Sequence, residues 1–130
     1  MNLEQSMVAE FMTAADQSVS DAPRIPSETQ AFLGVSLIAE ELEELRMAAY
    51  VHKDIVAMAD AIGDLIYVTL WLANAAGIPV EDCFHEIHRS NMSKFIDGYK
   101  DPNTGKWHKG PSWTPPNLVP ILTKRIIQAS

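Results

Sequence analysis

The sequence predicts an all-α protein, a helical bundle built around two long antiparallel helices and followed by an irregular C-terminal tail. Apolar residues recur at helical spacing over two long consecutive stretches, each bounded by capping residues. After Lys94, turn-forming pairs such as Asp-Gly, Gly-Pro and Pro-Pro replace this periodicity. With 130 residues, 47% of them hydrophobic, and no internal repeat, residues 1–130 are expected to form one domain, with a helical core over 1–94 and a basic tail over 95–130.

The first two helices are predicted from spacing and caps. Apolar residues at helical spacing predict a helix over residues 3–17, and the two prolines of residues 18–26 make that stretch a linker. Ser27, with Gln30 three residues later, is a capping box that starts a second helix, which runs to about residue 52.

The next two helices have equally clear ends. Asp54 can cap a third helix that ends at about Ala76 and is closed by Gly77. Pro79 and the acidic residues after it open a fourth helix through about Lys94. In the tail, residues 100–106 can form the turn of a small hairpin and residues 118–128 a short terminal helix.

The charge distribution limits the classes of partner. The net charge is −7, with 3 basic and 15 acidic residues up to Ile87 and 7 basic and 2 acidic residues from His88 onward. This balance argues against general nucleic-acid binding. The acidic N-terminus does not resemble a signal peptide, and we expect no apolar run long enough to cross a bilayer. The single cysteine, Cys83, fits a reducing compartment. We therefore expect a cytoplasmic protein without membrane contact.

Two acidic pairs are the candidate functional residues. Glu41 and Glu44 are three residues apart on the second helix, and Asp60 and Asp64 are four apart on the third, so each pair shares a helical face with apolar residues. Glu43 points away from that face and is expected in solvent. Buried carboxylates need a cation or strong hydrogen bonds, so the pairs predict a carboxylate cage.

The chemistry of the cage indicates its ligand. Oxygen ligands alone select Mg²⁺, with Mn²⁺ as a substitute, and Mg²⁺ commonly binds substrate phosphates. We expect these four carboxylates to hold the metal and either Glu41 or Glu44 to orient an attacking water. Trp71 and Tyr67 lie on the same acidic face, where packing is the expected use and stacking on a base the alternative.

The third helix is apolar around most of its circumference, which so short a chain cannot cover by itself. A homo-oligomer is therefore expected, with dimer and tetramer both open.

In this order the motifs resemble a known family. Glu40-Glu41-x-x-Glu44 followed by Asp60-Ala-Ile-Gly-Asp64 is similar to the motifs of MazG-like all-α nucleoside triphosphate pyrophosphohydrolases, which are related to phosphoribosyl-ATP pyrophosphohydrolase. The segments Glu86-Ile-His-Arg-Ser-Asn-Met-Ser-Lys94 and Lys109-Gly-Pro resemble the phage-type branch in particular.

The resemblance implies hydrolysis of a nucleoside triphosphate to a monophosphate and pyrophosphate. Asn91 and Lys94 match the family's Asn-x-x-Lys and are expected to contact substrate phosphates, and Lys109 is expected to close over them from the tail. Phage relatives trim deoxynucleotide pools, so dGTP is the leading substrate, in the host cytoplasm if the protein is phage-encoded. Phosphoribosyl-ATP is an alternative substrate.

Two positions depart from the family pattern. Ala61 stands where the family commonly has a glutamate, and Gly34 stands where many relatives have a basic residue. The first departure leaves open the number of metal ions. It also leaves an alternative function open, that of a non-catalytic magnesium or nucleotide sensor on the same fold. A helical module whose acidic face docks a basic partner is a third reading, disfavoured because the acids lie within apolar arcs.

Overall fold

The computed structural model describes residues 2–123 of the chain. Within them the fold is mostly helical, as predicted. The elements in chain order are α1 (Leu3–Ala14), α2 (Glu28–Arg46), a π-helical turn (Met47–His52), α3 (Ile55–Ala76), α4 (Val80–Met92), α5 (Lys94–Asp97), β1 (Tyr99–Lys100) and β2 (Trp107–His108).

The caps predicted from the sequence form. The Ser27 hydroxyl accepts from the backbone N–H of Gln30 at 3.2 Å, which starts α2, and the Asp54 carboxylate accepts from the first backbone N–H groups of α3. Gly77 closes α3 at φ 67°, a left-handed conformation that glycine adopts without strain. A Cβ there would also lie 2.2 Å from the carbonyl oxygen of Ala22, so the linker requires a glycine at this point.

The first helix is shorter than expected. It ends at Ala14 because Asp16 takes a left-handed conformation, with φ 57°, and the backbone N–H of Gln17 turns back to the carbonyl of Met12 at 2.8 Å. Such a turn satisfies carbonyls at a helix C-terminus and cannot continue the helix.

Helices α2 and α3 pack against each other in antiparallel directions. Gly34 of α2 is buried, and a Cβ placed on it would lie 2.8 Å from Cδ1 of Leu72. This missing side chain allows the two helices to approach closely. Helix α1 packs on α3, and their shared core consists of Val8, Met12, Leu70, Trp71 and Ala75.

A buried glutamine ties α1 to the end of α3. The Gln5 amide donates to the carbonyl of Ile78 at 2.8 Å, and the Gln5 backbone carbonyl accepts from the Asn74 side chain at 3.1 Å. Both residues are 1% exposed, and these hydrogen bonds offset part of the cost of burying their polar groups.

The chain divides into two compact units, the first ending at Val80 and the second beginning at Glu81. In the second unit α4 ends at Met92, two residues earlier than expected, and Lys94 starts the separate helix α5. The predicted hairpin forms, with Tyr99 opposite His108 and Lys100 opposite Trp107. Residues 119–123 are helical, and the rest of the predicted terminal helix lies outside the described residues.

By length and composition, α3 is apolar enough to span a bilayer, although only 17% of its most apolar window is buried within the chain. The expectation that no apolar run reaches this length was therefore wrong. A core helix of a water-soluble protein passes the same criterion, so this finding alone does not establish a membrane segment.

Candidate functional site

Three acidic side chains meet across the α2–α3 pair. Glu41 and Glu44 lie one turn apart on α2, and Asp64 lies opposite them on α3. Each offers one carboxylate oxygen, and these three oxygens lie within 4.8 Å of one another. Glu41 and Asp64 are half-buried and Glu44 is exposed, so the group lies at the edge of the helix pair and is open to solvent.

The electrostatics of Glu41 reflect this crowding. Burial, together with a side-chain hydrogen bond to Glu44 and the charges of Glu44, Asp64 and Glu40, raises the pKa of Glu41 from 4.5 to about 7. Its Oε2 atom is buried and has no hydrogen-bond partner. Carboxylates this close repel one another unless a proton or a cation lies between them.

This arrangement is chemically suited to a divalent cation. An unpartnered carboxylate oxygen beside two further carboxylates is an all-oxygen donor set, which Mg²⁺ and Mn²⁺ prefer. The open side leaves room for water or a phosphate oxygen. Glu41, Glu44 and Asp64 are therefore the residues that could hold the metal.

The fourth predicted ligand, Asp60, lies one turn before Asp64 and is exposed, and it does not join the close group. It shares with Glu44 a neighbouring cleft of about 310 Å³. The lining of this cleft comprises Glu43, Glu44, Met47, Ala48, His52, Ala57, Asp60 and Ala61.

Ala61 and Glu43 illustrate how the helix faces are used. Ala61, which departs from the family pattern, is only 3% exposed in the packed seam. Glu43 is exposed and pairs with Arg46 at 2.7 Å, which lowers the pKa of Glu43, in agreement with the predicted solvent position. Sequence reasoning missed His52, which reaches the cleft from the π-helical turn, a feature that no sequence pattern announced.

The residues expected to contact phosphates all belong to the second unit. Asn91 is exposed near the end of α4, whereas Lys94 begins α5, so the two do not share one continuous helix. The ammonium group of Lys109 lies 4.2 Å from the centre of the Trp113 ring, a cation–π contact that holds it within the tail. Their role on substrate phosphates stays a prediction.

Comparison with known proteins places the fold and the acidic group in one family. No curated protein matches the chain. The family model described as phosphoribosyl-ATP pyrophosphohydrolase matches residues 8–91, which include α2, α3 and the three clustered carboxylates. Because the match covers more than half of the chain, the protein belongs to the phosphoribosyl-ATP pyrophosphohydrolase family, with its MazG-like all-α fold and its pyrophosphohydrolase activity on nucleotides.

Proposed function

We propose that the protein hydrolyses nucleoside triphosphates to monophosphate and pyrophosphate with Mg²⁺, that Mn²⁺ can substitute, and that dGTP is the preferred substrate. The observation that carries this proposal is the group of three carboxylates with the unpartnered, buried Oε2 of Glu41. Its role would be control of nucleotide pools in the cytoplasm, or in the host cytoplasm if the protein is phage-encoded.

In this proposal Glu41, Glu44 and Asp64 hold the cation, and Asp60 supports it from the adjoining cleft. Bound there, Mg²⁺ would neutralise phosphate charge and make a water molecule more acidic. Glu41 and Glu44 are the two carboxylates that can orient the attacking water and accept its proton. Transfer of that proton lets water replace pyrophosphate on the α-phosphorus.

The second unit supplies the cationic and amide groups of the proposal. Asn91 and Lys94 donate to phosphate oxygens, and Lys109 closes over the triphosphate. The apolar surface that α3 leaves exposed favours a homo-oligomer of this chain, a dimer or a tetramer.

The first test is pyrophosphate release from a panel of ribo- and deoxyribonucleoside triphosphates, with nucleotide products resolved, in Mg²⁺, in Mn²⁺ and in chelator. The proposal expects metal-dependent formation of monophosphate and pyrophosphate, fastest from dGTP. Phosphoribosyl-ATP belongs in the same panel because the matching family model is described by that substrate. If phosphoribosyl-ATP is cleaved preferentially, it replaces dGTP as the assigned substrate.

A magnesium or nucleotide sensor is the second candidate, favoured by the alanine at position 61. A sensor would bind nucleotide with metal but release no pyrophosphate. Folded protein that binds nucleotide yet turns over none of the panel would therefore reject the enzyme and support the sensor.

A further inference from the structure

A second cavity, of about 480 Å³, lies beside the same helix pair. Its size is typical of small-molecule sites. We call it the linker pocket, because the turn after α1 and the segment before α2 form much of its wall. It is lined by Asp16, Gln17, Ser18, Arg24, Ser27, Thr29, Gln30, Leu33 and Trp71.

The linker pocket lies along the helices from the carboxylates. Trp71 follows Asp64 by seven residues on α3, two turns and about 10 Å away on the same face. Gln30 precedes Glu41 by eleven residues on α2, also on the same face and about 16 Å away. Because the helices are antiparallel, both displacements point in the same direction. An extended nucleotide spans such a distance between its phosphates and its base.

Two charged side chains of opposite sign line the pocket, Asp16 and Arg24. The Arg24 Nε donates to the Ser20 hydroxyl at 3.1 Å, which orients the guanidinium group. Within the described residues Arg24 forms no ion pair, and its two terminal nitrogens make no hydrogen bond. The pocket therefore offers a carboxylate acceptor and a guanidinium donor that are not paired with each other.

The wall that carries these charges is held in place. The Trp71 indole N–H donates to the Gln17 side chain at 2.9 Å, which ties the turn after α1 to α3. The backbone N–H groups of Ser20 and Arg24 donate to the carbonyls of Asn74 and Ala76, each at 2.9 Å. Such preorganisation reduces the entropy lost when a ligand binds.

Asp16 adopts a backbone conformation that few side chains tolerate. Its φ of 57° is left-handed, a conformation that glycine adopts freely and that aspartate reaches more readily than most other side chains. A glycine would complete the end of α1 with less strain. The backbone turn alone therefore does not require a carboxylate at this position.

We propose that the linker pocket is the base-recognition subsite and selects guanine. This inference rests on the proposed function for the position of the phosphates. The Asp16 carboxylate accepts from N1–H and the 2-amino group of guanine, and the Arg24 guanidinium donates to O6 and N7. Adenine presents an acceptor at N1 and a donor at its 6-amino group, so it meets both side chains with the wrong polarity. Trp71, 5% exposed and with its N–H already bonded, forms an apolar wall.

The test compares kcat/KM for dGTP, dATP, dITP and 7-deaza-dGTP in the wild type, Asp16→Asn, Asp16→Gly and Arg24→Ala. Loss of one bidentate contact predicts a fall of about 5-fold to 100-fold in the dGTP preference over dATP. In the wild type dITP, which lacks the 2-amino group, should be a poorer substrate than dGTP, and Asp16→Asn should remove that difference. Arg24→Ala should likewise remove the penalty on 7-deaza-dGTP.

Asp16→Gly separates recognition from folding. It should unfold at the same or a higher temperature and still lose its guanine preference, which a merely structural residue would not do. Lys53→Gly is the matched control, because Lys53 also has a positive φ, of 51°, but lies outside the pocket. That variant should keep the wild-type base preference.

Binding of non-hydrolysable α,β-imido analogues of dGTP and dATP with Mg²⁺ gives a readout independent of turnover. Base-selective binding without turnover of any triphosphate would reject the proposed function but support the assignment of the linker pocket to base recognition. If neither Asp16→Asn nor Arg24→Ala changes the base preference of turnover or binding, the linker pocket is not the base-recognition subsite. The proposed function is unaffected by that result. Wild-type binding with no preference for guanine would overturn the assignment of the linker pocket as well.

Discussion

The Glu41 side chain lies where burial and three neighbouring acids oppose its ionisation. Its pKa of about 7 means that, without a cation, about half of the folded molecules carry a proton there at pH 7, whereas the unfolded chain is ionised. The Oε2 atom remains without a hydrogen-bond partner. A single side chain thus couples folding, proton binding and the proposed metal binding.

The substitution Glu41→Gln tests this residue. In chelator at pH 8 it should raise the midpoint of thermal unfolding, because it removes one of the mutually repelling charges, and with Mg²⁺ it should lower turnover by at least about 100-fold. Glu43→Gln is the control, since Glu43 is exposed and paired with Arg46 outside the carboxylate group. Full turnover in Glu41→Gln would remove Glu41 from the proposed site.

The same residue predicts a pH dependence of stability. The pKa of Glu41 is raised from 4.5 to about 7 in the folded protein, so its contribution to stability is fully present below pH 4.5 and is lost as the pH rises through 7. Thermal unfolding in chelator should therefore show decreasing stability from pH 5 to pH 8. The slope should flatten in Glu41→Gln, and equal slopes in both proteins would contradict the assignment.

Between pH 5 and pH 8 the measurement avoids the titration of Glu86 in the second unit, which changes stability with pH in the opposite direction. Arg89 and the backbone N–H of Asn117 hold the pKa of Glu86 down to about 2. Its contribution is present above pH 4.5 and is lost as the pH falls toward 2. Measurements from pH 5 upward therefore report on Glu41 without this effect.

Helix ends and helix contacts determine the architecture. The C-terminus of α3 needs glycine for two reasons, the left-handed φ of Gly77 and the nearby carbonyl of Ala22. Gly63, in contrast, lies in the middle of α3, and a Cβ there would meet nothing within 4 Å. Replacing these two glycines by alanine should therefore change the stability of the fold in opposite directions.

Gly77→Ala should destabilise the fold by at least about 1–2 kcal/mol, from the left-handed conformation alone. The clash with the linker adds to this cost. Gly63→Ala should stabilise it by about 0.5–1 kcal/mol, because alanine loses less entropy in a helix. Urea unfolding of both variants checks the pair, and an unchanged midpoint for Gly77→Ala would mean that the linker moves aside.

The break between α4 and α5 affects the proposed phosphate contacts. Lys94 is half-buried at the start of α5 and has no ion pair within the described residues. If it contacts phosphate equally in ground and transition states, Lys94→Ala should raise KM by about tenfold and leave kcat unchanged. Lys100→Ala, an exposed lysine of the hairpin, is the control, and an unchanged kcat/KM in Lys94→Ala would remove Lys94 from the site.

Helix α3 presents more apolar surface than one chain covers. Its most apolar window is only 17% buried, and Ile66 is 53% exposed. A surface of this kind is typical of an interface. The mass of the protein in solution should therefore be a multiple of 14.4 kDa.

Light scattering after gel filtration measures this mass. Ile66→Glu should shift the protein toward the monomer, because association would bury an unpaired charge. Ile25→Glu is the control, since Ile25 is 90% exposed on the linker and does not belong to α3. A monomeric wild type at micromolar concentration would contradict the expected oligomer.

The helices, their caps and the hairpin were predictable from the sequence. Ser27, Asp54 and Gly77 act through hydrogen bonds or backbone conformations that span only a few residues. Their effects can therefore be predicted from the neighbouring sequence. The left-handed turn at Asp16 and the break before Lys94 were missed because both replace a helix that the apolar spacing would have continued. Membership of the pyrophosphohydrolase family was also recognisable, from the order of the acidic motifs.

Helical periodicity was enough to place two acidic pairs on faces of two long helices. The packing of the chain in three dimensions determines that carboxylate oxygens of Glu41, Glu44 and Asp64 meet within 4.8 Å while Asp60 lies in the adjoining cleft. It also decided that Asp16 and Arg24, from separate parts of the linker region, line one pocket. The physical reason is that helical periodicity fixes positions around one axis, whereas the register between two helices depends on side-chain packing such as that of Leu72 over Gly34.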